Sequence, residues 1–158
     1  MIAEPHVRFL DFSALQREYP VGDQFRQMVT TISRDELQAV QSARFNRCVA
    51  LAWKTPFYRR LWGAKGIEPG DIKDLCDIGK LPTFDKSDIM GSIERAPPFG
   101  DFHAMDAYRP DERPPVIFHT TSGTTGRPQV LLFGPRGREI QNILLARNYL
   151  FQGLRASD

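Results

Sequence analysis

The chain has 158 residues, 41% hydrophobic and 25% charged, with 12 Gly and 12 Pro; this is the balance of a folded globular chain and excludes a low-complexity or collagen-like one. Its 21 Lys and Arg against 19 Asp and Glu leave a net charge of +2, too small a surplus for the concentrated basic face of a nucleic-acid binder. No run of roughly 18 apolar residues is present to cross a membrane, and Met1 to Leu10 carries Glu4, Pro5, His6 and Arg8 where a secretory leader needs an apolar stretch.

Two cysteines, Cys48 and Cys76, and scattered His6, His103 and His119 give no zinc-binding spacing. Two reduced thiols in a cytoplasmic protein are expected, and no metal ligand is assigned within the chain. Composition leaves activity open.

Residues 1–32 mix Phe9, Phe12, Tyr19 and Phe25 with turn residues at Pro20–Asp23, and read as an N-terminal arm with short helical turns. Ser33 followed by Glu36 is a capping box. Phe45, Cys48, Val49 and Ala52 then fall on one stripe, predicting an amphipathic helix near 34–53. Thr55-Pro56 predicts a second helix start and Gly66 its stop, with the helix near 56–64. A short helix from Lys86 to Met90 closes a helical part spanning 33–93. Five of the 12 prolines lie in the connection at 94–115, which has no period. Long ordered connections of this kind tend to be functional or to cover something.

Val116–Thr121 and Gln129–Phe133 read as strands, rich in β-branched and aliphatic residues. Ile140, Ile143, Leu144 and Leu150 mark a helix stopped by Gly153, so 116–153 is strand, loop, strand, helix. The fold class is therefore α/β, a helical part leading into the first strands of a sheet. Two strands alone are marginal in water, so the sheet is expected to be incomplete in this chain and to associate.

Between the strands lies Thr121-Ser122-Gly123-Thr124-Thr125-Gly126-Arg127-Pro128. Its glycines permit a backbone concavity of N–H donors, four hydroxyls surround that concavity, and Arg127 offers a cation. This composition suits a polyphosphate. Gly126 leads into Arg127-Pro128 and a strand, so it is not a Walker A loop, and the Gly-x-Gly of a dinucleotide fingerprint is missing. A plain Gly/Thr-rich hairpin turn is the competing reading.

The run Ser122–Pro128 resembles the phosphate-binding signature of the adenylate-forming (AMP-binding) enzymes, and His119-Thr120-Thr121-Ser122-Gly123 resembles its phenylacetate–CoA ligase branch. Thr55-Pro56-Phe57-Tyr58-Arg59-Arg60 and Leu81-Pro82-Thr83-Phe84-Asp85-Lys86-Ser87-Asp88-Ile89 resemble N-terminal motifs of the same branch. The likeness covers roughly residues 34–158, with 33–158 as the N-terminal portion of an adenylation domain. Many superfamily members carry Lys after the Pro; this chain has Gln129, as the branch often lacks that Lys.

The resemblance implies an N-terminal part of an AMP-forming ligase that activates an aromatic or other carboxylic acid as an acyl-adenylate. ATP, Mg²⁺ and either CoA or the pantetheine of an acyl-carrier protein are the implied cofactors and partners. Thr121, Ser122, Gly123, Thr124, Thr125, Gly126 and Arg127 are the implied nucleotide-binding residues. Catalytic residues are expected beyond Asp158, and the chain alone is expected not to turn over. The alternative class is a non-catalytic truncated module acting by protein–protein association, and a homodimer fits either reading. His119 is expected to pack rather than act as a base. Trp53, Phe57, Tyr58 and Trp62 are expected in the core before any aryl pocket, and the basic residues Arg136, Arg138, Arg147 and Arg155 either attract an anionic ligand or face solvent.

Overall fold

The computed structural model describes residues 7–121 and 128–154. The chain divides into two compact units, one of Met1–Ile32 with Pro114–Asp158 and one of Ser33–Arg113.

In the first unit the N-terminal segment is more regular than its composition suggests. After a 3₁₀ turn at Val7–Phe9, helix α1 spans Phe12–Glu18 and α2 spans Gly22–Thr31. Asp11 caps α1, accepting a hydrogen bond from the Ala14 N–H at 2.8 Å. Each helix buries a single large apolar residue, Leu15 and Phe25. Burial of such a side chain is worth about 1.5–3 kcal/mol. The long helix of this unit, numbered α6 because three further helices precede it, spans Pro135–Phe151, and α2 packs on it. Phe25 meets Phe151 edge-on at 5.5 Å between ring centroids.

Strands β1 (Ile117–Thr120) and β2 (Val130–Phe133) form a two-stranded antiparallel sheet. The register pairs Ile117 with Phe133, Phe118 with Leu132, His119 with Leu131 and Thr120 with Val130. α6 starts at Pro135, earlier than the apolar period at Ile140 suggests, because Pro at the first helical position needs no N–H partner. It ends where Gly153 adopts φ +87°, with the Leu154 N–H donating to Tyr149 and the Gly153 N–H to Leu150.

In the second unit, α3 spans Arg34–Ala52, α4 Pro56–Gly63 and α5 Lys86–Arg95, with 3₁₀ turns at Leu75–Lys80 and Ala104–Ala107. Ser33 and Glu36 form the expected reciprocal capping box on α3. Thr55 precedes α4 but does not cap it; its hydroxyl donates back to the Leu51 carbonyl at 3.2 Å. Asp85 and Asp88 form another such box at the start of α5, which runs past Met90 to Arg95. Val49, Trp62 and Ile72 make the core, packed by Phe45, Tyr58 and Leu81. Among the described residues no helix is long and apolar enough to cross a membrane.

Candidate functional site

The hairpin β1–β2 sets the ends of the Ser/Thr/Gly segment. The Thr121 N–H donates to the Gln129 carbonyl at 3.0 Å. In return the Gln129 N–H donates to Thr121 Oγ1 at 3.1 Å. The chain is thus closed across the base of the segment, and its two ends leave the sheet side by side. Of the seven sequence-assigned binding residues, Thr121 lies at this base and is exposed. Ser122, Gly123, Thr124, Thr125, Gly126 and Arg127 lie outside the described residues. Gln129, which a side-chain reading treats only as a missing lysine, acts here through both of its backbone groups.

His119 packs as expected. It is half-buried, its ring edge-on to Phe133 at 5.4 Å between centroids. Its Nε2 is buried without a hydrogen-bond partner, and no carboxylate contacts the ring among the described residues. That geometry supplies no acid–base relay.

The basic residues of α6 serve the first unit itself. Arg136 pairs with Glu18 of α1. Arg147 donates from Nε to the Pro20 carbonyl at 2.9 Å and lies over the Phe25 ring at 4.2 Å. Arg138 reaches Gln141 at 3.4 Å. Two of the charges that sequence offered to an anionic ligand are therefore engaged with the N-terminal segment.

In the second unit the aromatic cluster is core. Trp62 and Phe57 are each 4% exposed, and Trp53 meets Trp62 edge-on at 4.9 Å. Tyr58 and Trp62 also line a cleft of about 410 Å³ with Phe45, Phe102, Cys48 and Thr55. Burial among these rings pushes the Tyr58 hydroxyl above its ordinary pKa. No charged side chain lines the cleft, so it offers no cation to a carboxylate or a phosphate. Both cysteines are free and exposed.

One polar network escaped the sequence reading. Arg60 on α4 forks onto both oxygens of Asp101 in the proline-rich connection, and the Ser92 hydroxyl of α5 donates to Asp101 Oδ1 at 2.7 Å. The Asp101 N–H donates to Ser92 Oγ at 2.9 Å. The Arg60 guanidinium, followed by the Ser92 hydroxyl, holds the Asp101 carboxyl down at about 2 against burial that would raise it. Nothing in local spacing signals it, since Arg60 and Asp101 are 41 residues apart. Among the described residues no three His, Cys, Asp or Glu side chains converge as metal ligands do.

No family model matches the chain. It is 35% identical over 127 residues to a phenylacetate–coenzyme A ligase of Aromatoleum evansii, covering 80% of this chain and 27% of that protein. To the phenylacetate–coenzyme A ligase of Escherichia coli strain K12 it is 34% identical over 104 residues, covering 65% and 22%. Among solved structures it matches 2-hydroxyisobutyryl-CoA ligase in the postadenylation state in complex with 2-HIB-AMP, at TM-score 0.65 and 29% identity, over 79% of this chain and 25% of that one. An open conformation of the same ligase with 2-HIB-AMP and CoA matches at TM-score 0.64 and 30% identity, over 79% and 26%. The chain spans about a quarter of the length of these relatives. The fold it shares with them is that of a CoA ligase's helical and first-strand region, within a mixed α/β domain. Within that class, the chain is similar in sequence to phenylacetate–CoA ligases, at 32–35% identity over about a quarter of their length, and resembles that branch of the adenylate-forming enzymes.

Proposed function

We propose that this chain forms part of an AMP-forming acid–thiol ligase and carries its pyrophosphate-binding loop. In this reading a carboxylate attacks the α-phosphate of ATP, pyrophosphate leaves, and a thiol takes the acyl group from the adenylate. Ser122, Gly123, Thr124, Thr125 and Gly126 hold the β- and γ-phosphates through backbone and hydroxyl donors, and Arg127 adds a cation. Mg²⁺ shares the charge that builds on the leaving group. The thiol is CoA, or the pantetheine of a carrier protein.

The observation that carries this reading is the closed base of the loop, where Thr121 and Gln129 pair across an otherwise apolar hairpin. Closing the base holds the two ends of the segment side by side, as a loop that wraps an anion requires. The phenylacetate ligases among the relatives favour an aromatic acid. The structural neighbour, whose acid is 2-hydroxyisobutyrate, supports the carboxylate–CoA step with a small aliphatic acid. The loop's role does not depend on which acid is bound. In this reading the catalytic groups belong to other parts of the ligase, and this chain alone does not turn over. ATP–pyrophosphate exchange driven by aryl acids, in a ligase containing this segment, tests the reading. Exchange stimulated by phenylacetate-type acids supports it, and its absence with every carboxylate tried counts against it.

A further inference from the structure

Helix α6 begins almost where β2 ends: Phe133 closes the strand, Gly134 follows, and Pro135 opens the helix. Whatever holds the first turn of α6 therefore also holds the strand that leads back to Gln129. That first turn has little of its own to hold it. Gly134 offers no side chain as a cap, and no acidic residue lies in the first turn to complement the helix dipole. The carboxylate comes instead from Glu18, the last residue of α1, which pairs with Arg136.

Arg136 and Arg147 are eleven residues apart, which is close to three full turns, so both lie on one face of α6, roughly 16 Å apart along its axis. Glu18 meets this face at Arg136. Pro20 and Phe25 meet it at Arg147, through the 2.9 Å hydrogen bond and the 4.2 Å ring contact. Phe25 also reaches Phe151, in the last turn. Residues 18–25 thus run along α6 from its first turn to its last. β2 packs on the same helix, and the His119 ring ties β1 to Phe133 at the strand end next to Gly134.

We propose that Glu18 is a positioning residue for the base of the Ser/Thr/Gly loop. Through Arg136 it fixes the first turn of α6, and through the Gly134 junction it steadies β2 and the Gln129 backbone that bonds Thr121. Its value to catalysis rests on the reading of that loop as the pyrophosphate site. The Glu18 and Arg136 side chains are 28% and 52% exposed, so solvent screens the pair and limits its effect on the equilibrium to about fivefold.

Amide hydrogen exchange in the 158-residue chain tests this, since protected amides report local opening. The Thr121 and Gln129 amides read the loop base, and the Ile143 amide reads the middle of α6. Glu18→Gln and Arg136→Gln should each speed exchange at Thr121 and Gln129 about two- to fivefold and leave Ile143 unchanged. Arg136→Lys keeps the charge and should stay within about twofold of the parent. The exchanged pair, Glu18→Arg with Arg136→Glu, should restore slow exchange at both loop-base amides. Unchanged exchange at Thr121 and Gln129 in the single variants overturns the proposal. An equal rise at Ile143 also overturns it, because the pair would then stabilise the helix as a whole. So does a failure of the exchanged pair to restore protection. No nucleotide enters these measurements: their failure overturns the role of Glu18 alone, whereas normal pyrophosphate exchange in a ligase carrying Thr124→Ala counts against the phosphate reading and leaves that role standing.

Discussion

Thr121 and Gln129 bond to each other twice, once through backbone at 3.0 Å and once through the threonine hydroxyl at 3.1 Å, and so close the base of the loop. Thr121→Val keeps the first bond and removes the second. Thr121 is exposed, so water replaces the lost acceptor and stability falls by no more than about 1 kcal/mol. The loop base loosens more than the fold does. In a ligase carrying this segment, pyrophosphate exchange should drop several-fold while the melting temperature moves little.

Asp101 is the polar anchor of the second unit, and its removal should be felt. Asp101→Asn leaves Ser92, which is fully buried, and Arg60 with a weaker acceptor. Hydrogen bonds to charged groups are worth about 1.5–3 kcal/mol. The Arg60 side chain is 43% exposed. Solvent there screens the pair, so a loss of about 1–2 kcal/mol is expected in chemical denaturation.

The same residue sets an acid limit. Asp101 titrates near about 2 in the folded chain against 3.8 for the ordinary carboxyl. A carboxylate whose pKa is lowered by folding stabilises the fold above its unfolded pKa and loses that contribution as pH falls through the folded one. Stability should therefore decline from about pH 3.8 toward about 2, and Asp101→Asn should flatten that decline. Asp77, also held near about 2 by Lys80, lies at the surface and leaves a residual slope in the variant.

Gly100 turns the chain into Asp101 at φ +81°. A Cβ there would sit 2.8 Å from both the Phe102 ring and Ser92 Oγ. Gly100→Ala thus combines an unfavourable backbone conformation with overpacking against a buried residue. A loss of about 2–4 kcal/mol is expected, read from thermal or denaturant unfolding.

How much of this was legible in sequence depended on how local the cause was. The start of α3 was readable because Ser33 and Glu36 satisfy each other within one turn. Gly153 was readable because a left-handed stop is a property of one residue. The helices of residues 12–31 were read only as turns, since their formation rests on burying Leu15 and Phe25 within a unit that includes residues more than a hundred positions away. The Arg60–Asp101–Ser92 network left no local trace for the same reason. At the candidate site, the composition of Thr121–Pro128 pointed to a polyphosphate and the run Ser122–Pro128 carried the resemblance to the adenylate-forming enzymes, while His119 as a packed residue followed from its strand position. The part played by the Gln129 backbone was hidden behind the question of its side chain.

Arg147 is expected to hold the N-terminal segment through its guanidinium plane. It bonds the Pro20 carbonyl and stacks on Phe25. Lys has a charge but no plane to stack. Arg147→Lys should therefore expose residues 12–31 to proteolysis nearly as much as Arg147→Met does, with each variant losing about 1–2 kcal/mol. Full protection in Arg147→Lys would show that charge alone suffices.

The central claim is that Ser122–Gly126 cradle the leaving pyrophosphate, and ATP–pyrophosphate exchange in a ligase carrying Thr124→Ala or Gly126→Val tests it most directly. Loss of one donor aimed at developing charge costs roughly 10²–10³ in rate where nothing compensates; neighbouring hydroxyls reduce this to about 10–100-fold for Thr124→Ala. Gly126→Val should do more harm, because a branched Cβ disfavours positive φ and blocks the approach of phosphate. Transfer from a supplied acyl-adenylate to the thiol should suffer less in both variants. Normal exchange rates in both variants, each well folded, would contradict the account.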